Sequence, residues 1–224
     1  MAWRLFEEQD HAVLYQKYRL PSPSQIRNLV LSYLKRKKGK PFTLAVDIGC
    51  GPGQSTRGLA SYFEQVVGID VSGAQIEEAM KVDGPENVSY RRGLAEELEF
   101  EDGSVDLVTA GAAAHWFDME KFMKEVERIL KPKGCVALYC YRPPFELHYN
   151  DCSEQLTQIV QEMFKTLGPY QSEKCHIVQN EYKEIYHAIT FPDKESIQQA
   201  LGASSSETVL ETKWTAFCLL ASKP

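Results

Sequence analysis

Between residues 44 and 54 the chain reads Leu44-Ala45-Val46-Asp47-Ile48-Gly49-Cys50-Gly51-Pro52-Gly53-Gln54, an apolar run that meets an acid and then glycines on three alternate positions. Glycine adopts positive φ without a clash and leaves no Cβ in a ligand's way. A strand that opens into such a turn, with a helix after it, is how an open α/β sheet receives a nucleoside-containing ligand. The spacing is G-x-G-x-G, not the G-x-G-x-x-G of dinucleotide sites, and no Gly-Lys-Ser/Thr follows to make a phosphate loop. Asp47, two residues ahead of the first glycine, suits a ligand carrying a positive amine and repels a pyrophosphate. A second acid, Asp70, closes the next apolar run, Val66-Val67-Gly68-Ile69. There it can accept hydrogen bonds from both ribose hydroxyls, or it can belong to the start of a helix at Ser72-Gly73.

The run Thr109-Ala110-Gly111-Ala112-Ala113-Ala114-His115-Trp116-Phe117 follows another apolar segment. Small side chains from Ala110 onward leave room for a close-packed ligand at the end of a strand. His115 can act as a base, donate a hydrogen bond to an acceptor oxygen, or fill a structural role. Trp116 can face a cation or belong to the core.

These groups need a scaffold, and the chain alternates strand and helix patterns to supply one. Strands are expected over 44–48, 66–70, 87–91, 105–110 and 135–139. Helices are expected over 54–63, 73–81 and 118–130, the last with Phe122, Val126, Ile129 and Leu130 at helical spacing and stops at Pro132 and Gly134. A further helix over 151–167 and two strands, 183–190 and 213–222, follow. The alternation predicts an α/β fold: a Rossmann-like, doubly wound, mostly parallel seven-stranded sheet closed by a C-terminal antiparallel hairpin. Residues 1–40 are expected as a helical cap over the ligand site and 41–224 as one globular unit. Ala203-Ser204-Ser205-Ser206 reads as a short polar loop.

The segment Val46 to Gly53 resembles the first motif of the class I S-adenosylmethionine (SAM) methyltransferases. Ala114-His115-Trp116-Phe117-Asp118 is similar to the small-molecule methyltransferases grouped with trans-aconitate methyltransferase, and the resemblance spans about residues 5–145. It implies SAM as cofactor, S-adenosylhomocysteine as product, and a carboxylate oxygen of a small acid as acceptor. Carried over position by position, it places Asp47, Gly49, Gly51, Gly53, Asp70 and Ala110 against the cofactor, with Ala95 and Glu96 bordering the adenine. Tyr15-Gln16-Lys17-Tyr18-Arg19-Leu20-Pro21 resembles the family's Tyr-x-x-x-Arg-Pro segment, with Leu20 where proline is expected. Tyr18 would close over the cofactor carboxylate. Arg19, Trp116 and Arg142 would address the acceptor, with His115 as the catalytic group. The family carries a longer connection between its last two strands than residues 192–211 provide. A SAM-binding module with little turnover therefore stays open as an alternative, as does a protein or RNA methyltransferase.

Composition narrows the classes. The chain has 224 residues, of which 43% are hydrophobic, enough to fill one buried sheet core. A net charge of −6 counts against non-specific nucleic-acid binding. The basic run Lys35 to Lys40 is expected at a helix end, where cations are favoured. The six cysteines include no C-x-x-C pair, so no metal site is expected. No apolar run reaches the length of a membrane span, and the charged opening residues do not read as a secretory leader. A cytoplasmic protein, a monomer or weak dimer, is the expectation.

Overall fold

The computed structural model describes residues 6–19, 23–204 and 211–224. Leu20, Pro21, Ser205 and Ser206 lie outside them. The described elements run α1 (Gln9–Tyr18), α2 (Ser24–Lys37), β1 (Leu44–Ile48), α3 (Gln54–Arg57), β2 (Gln65–Asp70), α4 (Gly73–Lys81), β3 (Val88–Arg92), β4 (Val105–Gly111), α5 (Met119–Ile129), β5 (Leu130–His148), α6 (Ser153–Leu167), α7 (Cys175–Gln179), α8 (Lys183–Ala188), β6 (Asp193–Ser204) and β7 (Glu211–Ser222).

The strands form one seven-stranded sheet in the order β3-β2-β1-β4-β5-β7-β6. The first five are parallel, and β7 runs antiparallel between β5 and β6. This is the expected doubly wound sheet with its closing hairpin. Successive side chains of a strand point to opposite faces, and the central strands divide their apolar residues accordingly. Val46, Val108, Leu138 and Leu219 enter one core, where the α5 stripe of Phe122, Met123, Val126 and Ile129 covers them. Ala45, Leu107, Ala137 and Leu220 enter the other, under Ile26, Val30, Tyr33 and Leu34 of α2. Burial on both faces is why these strands read as apolar runs without alternation.

The N-terminal helices therefore do different things. Helix α2 is a layer of the sheet packing, and its basic last turn is tied down by Arg36–Glu195, Lys37–Asp193 and Lys38–Asp106 ion pairs. Helix α1 lies at the carboxyl end of the sheet.

Two expected elements differ. The helix over 54–63 stops at Arg57, with Gly58 at its C-cap, and resumes as a 3-10 turn at Ala60–Tyr62. The expected strand over 183–190 is helix α8. Ile185, His187 and Ile189 alternate along the sequence, yet Ile185 and Ile189 are also four apart and both pack into the core under α5. The sheet edge is taken instead by Asp193–Ser204, paired through its whole length with β7 from Asp193↔Ser222 to Ser204↔Glu211. Most of the supposedly abbreviated 192–211 connection is thus strand. The helical segment α6–α8 lies earlier, between β5 and β6.

Candidate functional site

The chain leaves β1 toward β2 and β3, then returns to place β4 on the other side of β1. Open α/β sheets bind ligands at the carboxyl ends of strands at such a reversal. Two adjoining cavities open there, of about 740 Å³ and 270 Å³. They share Tyr15, Gly49, Gly51, Gly111 and Ala112 on their walls.

The glycine turn divides them. Gly49 has φ +66°, and a Cβ on it would come 2.4 Å from the Ala113 Cβ. The turn is thereby pressed against the alanine run after β4, which explains the small side chains at both places. Gly53 has φ +78°, and its Cβ would meet the Tyr90 hydroxyl at 2.3 Å. Its glycine is demanded by Tyr90 rather than by a ligand, and it lines neither cavity.

Asp70 lines the larger cavity at the end of β2. Its Oδ2 accepts from the Gly51 amide at 2.9 Å and its Oδ1 from the Ser72 amide at 2.9 Å. The acid holds the glycine turn in place while keeping lone pairs for a ligand. Burial raises its pKa against the pull of those amides. The helix cap is supplied by Ser72, whose Oγ accepts from the Gln75 amide. Ala95 and Glu96 line the same cavity after β3, and Glu96 Oε1 accepts from the Asp118 amide at 2.8 Å. Trp116 stands on the far wall, edge-on to Phe6 at 6.4 Å.

Several expected site residues stay off both cavity walls. Asp47 is 1% exposed, and its two oxygens accept from the Thr56 and Thr109 hydroxyls at 2.7 Å each. It braces β1 against α3 and β4 beneath the turn, and burial pushes its pKa up to about 6. Ala110 is buried in the sheet, and the residues facing the ligand space are the next three, Gly111 to Ala113. His115 is buried beside Tyr182, and burial, reinforced by the Lys174 and Arg19 charges, pushes its pKa down to about 4. Arg142 pairs with Glu181 at 2.9 Å.

The smaller cavity brings Tyr18 and Arg19 together with the ends of β5 and β7. The Arg19 guanidinium lies over the Tyr141 ring at 4.6 Å and the Tyr15 ring at 5.2 Å. No carboxylate pairs with it among the described residues. Gln54, directly after the glycine turn, donates to the Arg19 and Gln16 carbonyls at 3.2 Å each and anchors the end of α1 over the site.

Three residues of the site were not singled out by sequence reasoning. Tyr15, the first residue of the Tyr-x-x-x-Arg segment but given no role there, is partly buried and borders both cavities; its i, i+4 relation to Arg19 was the available signal. Lys174, just before α7, lines the larger cavity, and only the fold brings it there. Gln75 carries an orphaned group: its Oε1 is buried on the cavity wall with no hydrogen-bond partner. An unpaired buried acceptor calls for a donor from a ligand. Together with Asp70 and the open face of Gly51, it fits a ligand rich in hydroxyl and amino donors, as the ribose, adenine and amino-acid ends of SAM are.

Comparison with known proteins bears on the same stretch. A family model described as a methyltransferase domain matches residues 46–138, from β1 into β5. A Dictyostelium discoideum protein whose name places it among the methyltransferases is 33% identical over 203 residues, covering 86% of this chain and 73% of that protein. The chain belongs to the SAM-dependent methyltransferases. A Saccharomyces cerevisiae protein whose name assigns it to the same class is 34% identical over 127 residues, 54% of this chain and 43% of that one, so the methyltransferase here spans less than half of that relative. Among solved structures, an Anaeromyxobacter dehalogenans protein titled as a type II methyltransferase superposes with a TM-score of 0.67 at 22% identity, covering 92% of this chain and 98% of that one. A Haemonchus contortus phosphoethanolamine N-methyltransferase in complex with SAM superposes at 0.58 and 22% identity, covering 99% of this methyltransferase and 58% of that chain. At these identities the likeness is one of fold. Among the described residues, no helix is long and apolar enough to cross a membrane.

Proposed function

We propose that this methyltransferase transfers the methyl group of SAM to a carboxylate oxygen of a small molecule. The observation that carries the reading is Arg19: a guanidinium without a carboxylate partner among the described residues, on the wall of a 270 Å³ cavity that meets the larger one at the glycine turn. A guanidinium can hold a carboxylate through two parallel hydrogen bonds. The cavity lies just below the usual ~300–1,000 Å³ of drug-sized ligand sites, so it suits a small acceptor.

In this reading the larger cavity holds the cofactor. Asp70 takes the ribose hydroxyls, Ala95 and Glu96 border the adenine, and Gly49 and Gly51 let the turn approach. Tyr18 is exposed on the rim of the smaller cavity, where it can close over the junction. SAM supplies an electrophilic methyl on a sulfonium, whose C–S electron pair returns to sulfur as the acceptor oxygen forms its bond to carbon. A carboxylate is already ionised at neutral pH and needs no base. That agrees with a His115 whose low pKa makes it a weak base and which stands off both cavity walls. What remains is to hold the two reactants in line, and positioning alone is worth roughly 7–11 kcal/mol. Trp116 and Phe6 supply part of the larger cavity's wall.

Incubation with SAM and a panel of small carboxylic acids, read by mass gain of one methyl, tests the proposal. The Arg19→Ala variant should lose about tenfold or more in kcat/KM while keeping its affinity for S-adenosylhomocysteine, as expected when one charge-assisted contact of ~1.5–3 kcal/mol is removed. Methyl label appearing only in the macromolecular fraction of a lysate would refute the small-acid reading in favour of a protein or RNA acceptor.

A further inference from the structure

The smaller cavity has a direction. Arg19 stacks on Tyr141 at 4.6 Å, Tyr141 meets Phe145 at 5.9 Å, and Phe145 stands edge-on to Trp214 at 6.2 Å. One cation therefore sits at the head of a continuous row of aromatic rings that leads away from it. Arg19 is the one charged side chain among the described residues lining this cavity; Lys174 and Lys121 line the larger one.

From this arrangement we infer that the acceptor is a monocarboxylic acid with an apolar, flat or slender body: its carboxylate on Arg19, its body along Tyr141, Phe145 and Trp214. The inference rests on the carboxylate reading above and narrows it. A single guanidinium satisfies one carboxylate. A second or third carboxylate on the same molecule would have to lose its water beside aromatic rings with no second cation among the described lining residues to meet it, and burying an unpaired charge is costly. An aryl or alkyl body instead gains from removing its apolar surface from water, and ring–ring contacts add to that. The same wall thus favours one acid class and rejects the other. The position of Arg19 also orients the acid. Tyr15, which shares the guanidinium at 5.2 Å, borders both cavities, so the carboxylate end is the end nearest the cofactor.

The test is calorimetric titration of the full-length protein saturated with S-adenosylhomocysteine, using 3-phenylpropanoate and octanoate against citrate and trans-aconitate, with 3-phenylpropanamide as the uncharged control. We expect the two monoacids to bind at least about tenfold more tightly than either tricarboxylate and than the amide. In Arg19→Met the preference for acid over amide should vanish while S-adenosylhomocysteine still binds. In Phe145→Ala, a partly buried position, affinity for phenylpropanoate should fall while the acid-over-amide preference stays. Tighter binding of the tricarboxylates overturns the inference and leaves the carboxylate reading standing. Equal binding of acid and amide overturns both, as does binding of no acid at all.

Discussion

His115 Nδ1 lies 2.9 Å from the Tyr182 hydroxyl, across 67 residues of sequence. Tyr182 is fully buried, at φ +58°, and follows Glu181 at φ +56°. Two successive non-glycine residues in the left-handed region are strained and persist only when the surroundings hold them. The Tyr182 ring packs edge-on to Phe217 at 4.9 Å. The pair thus fastens the α6–α8 segment to the sheet at the very residue that follows the alanine run.

Tyr182→Phe removes the hydroxyl and leaves a buried imidazole nitrogen without its partner. The expected cost is ~1–3 kcal/mol in urea unfolding, the range for an orphaned buried polar group. An unchanged midpoint would show that the imidazole finds another partner.

His115 and Asp47 should push stability in opposite directions over nearly the same pH range. His115 is held at about 4 when folded, against 6.5 ordinarily, so between those values the unfolded chain binds more protons and stability falls as pH falls. Asp47 is held at about 6 against 3.8, so there the folded chain binds more protons; its favourable contribution is present at low pH and is lost as pH rises through 6. Relative to the wild-type curve, His115→Gln should therefore gain stability on going from pH 7 to pH 5, and Asp47→Asn should lose it. Denaturant midpoints across that range give the answer; curves that shift the same way would contradict the assignment.

Asp70→Asn keeps the size of the side chain and removes its charge. It also replaces one acceptor of the Gly51 and Ser72 amides with a donor. Affinity for S-adenosylhomocysteine should fall about tenfold or more, read by calorimetry. Undiminished affinity would remove Asp70 from the cofactor site.

Gly53→Ala sets a Cβ against the Tyr90 ring at positive φ and should destabilise the protein by ~1–3 kcal/mol. Tyr90→Ala should cost less in that background than in the wild type, a coupling that a double-mutant cycle measures. Additive costs would mean that backbone strain alone, and not the tyrosine, demands the glycine.

Arg142→Ala should leave the KM for a carboxylate acceptor within about twofold, because Arg142 lines neither cavity and is engaged with Glu181. Arg19→Ala should raise it about tenfold or more. The reverse order would move the acceptor clamp from α1 to β5.

Much of this was legible in the sequence because it depends on local physics. The apolar runs at 44–48 and 105–110 announced strands buried on both faces, and the glycine spacing with the acid at 70 announced the ligand turn. Helices α4 and α5 begin at or within a residue of their expected starts, capped by Ser72 and Asp118. The reading failed at 183–190, where alternation and helical spacing coincide at Ile185 and Ile189, and only pairing with β7 could decide which segment formed the sheet edge.

By itself, then, the sequence determined the central parallel strands and the ligand turn, since each follows from which backbone conformations and faces a short segment permits; the cofactor was implied by the resemblance of the Val46 to Gly53 segment to the methyltransferase motif. The tertiary structure decided which residues meet. It turned Asp47 inward onto two threonines, tied Arg142 to Glu181 and His115 to Tyr182, and left Arg19, among the described residues, without a carboxylate partner at the head of an aromatic row. Those outcomes rest on contacts between segments far apart in the chain, where a side chain's role is set by what packs beside it and not by its neighbours in sequence.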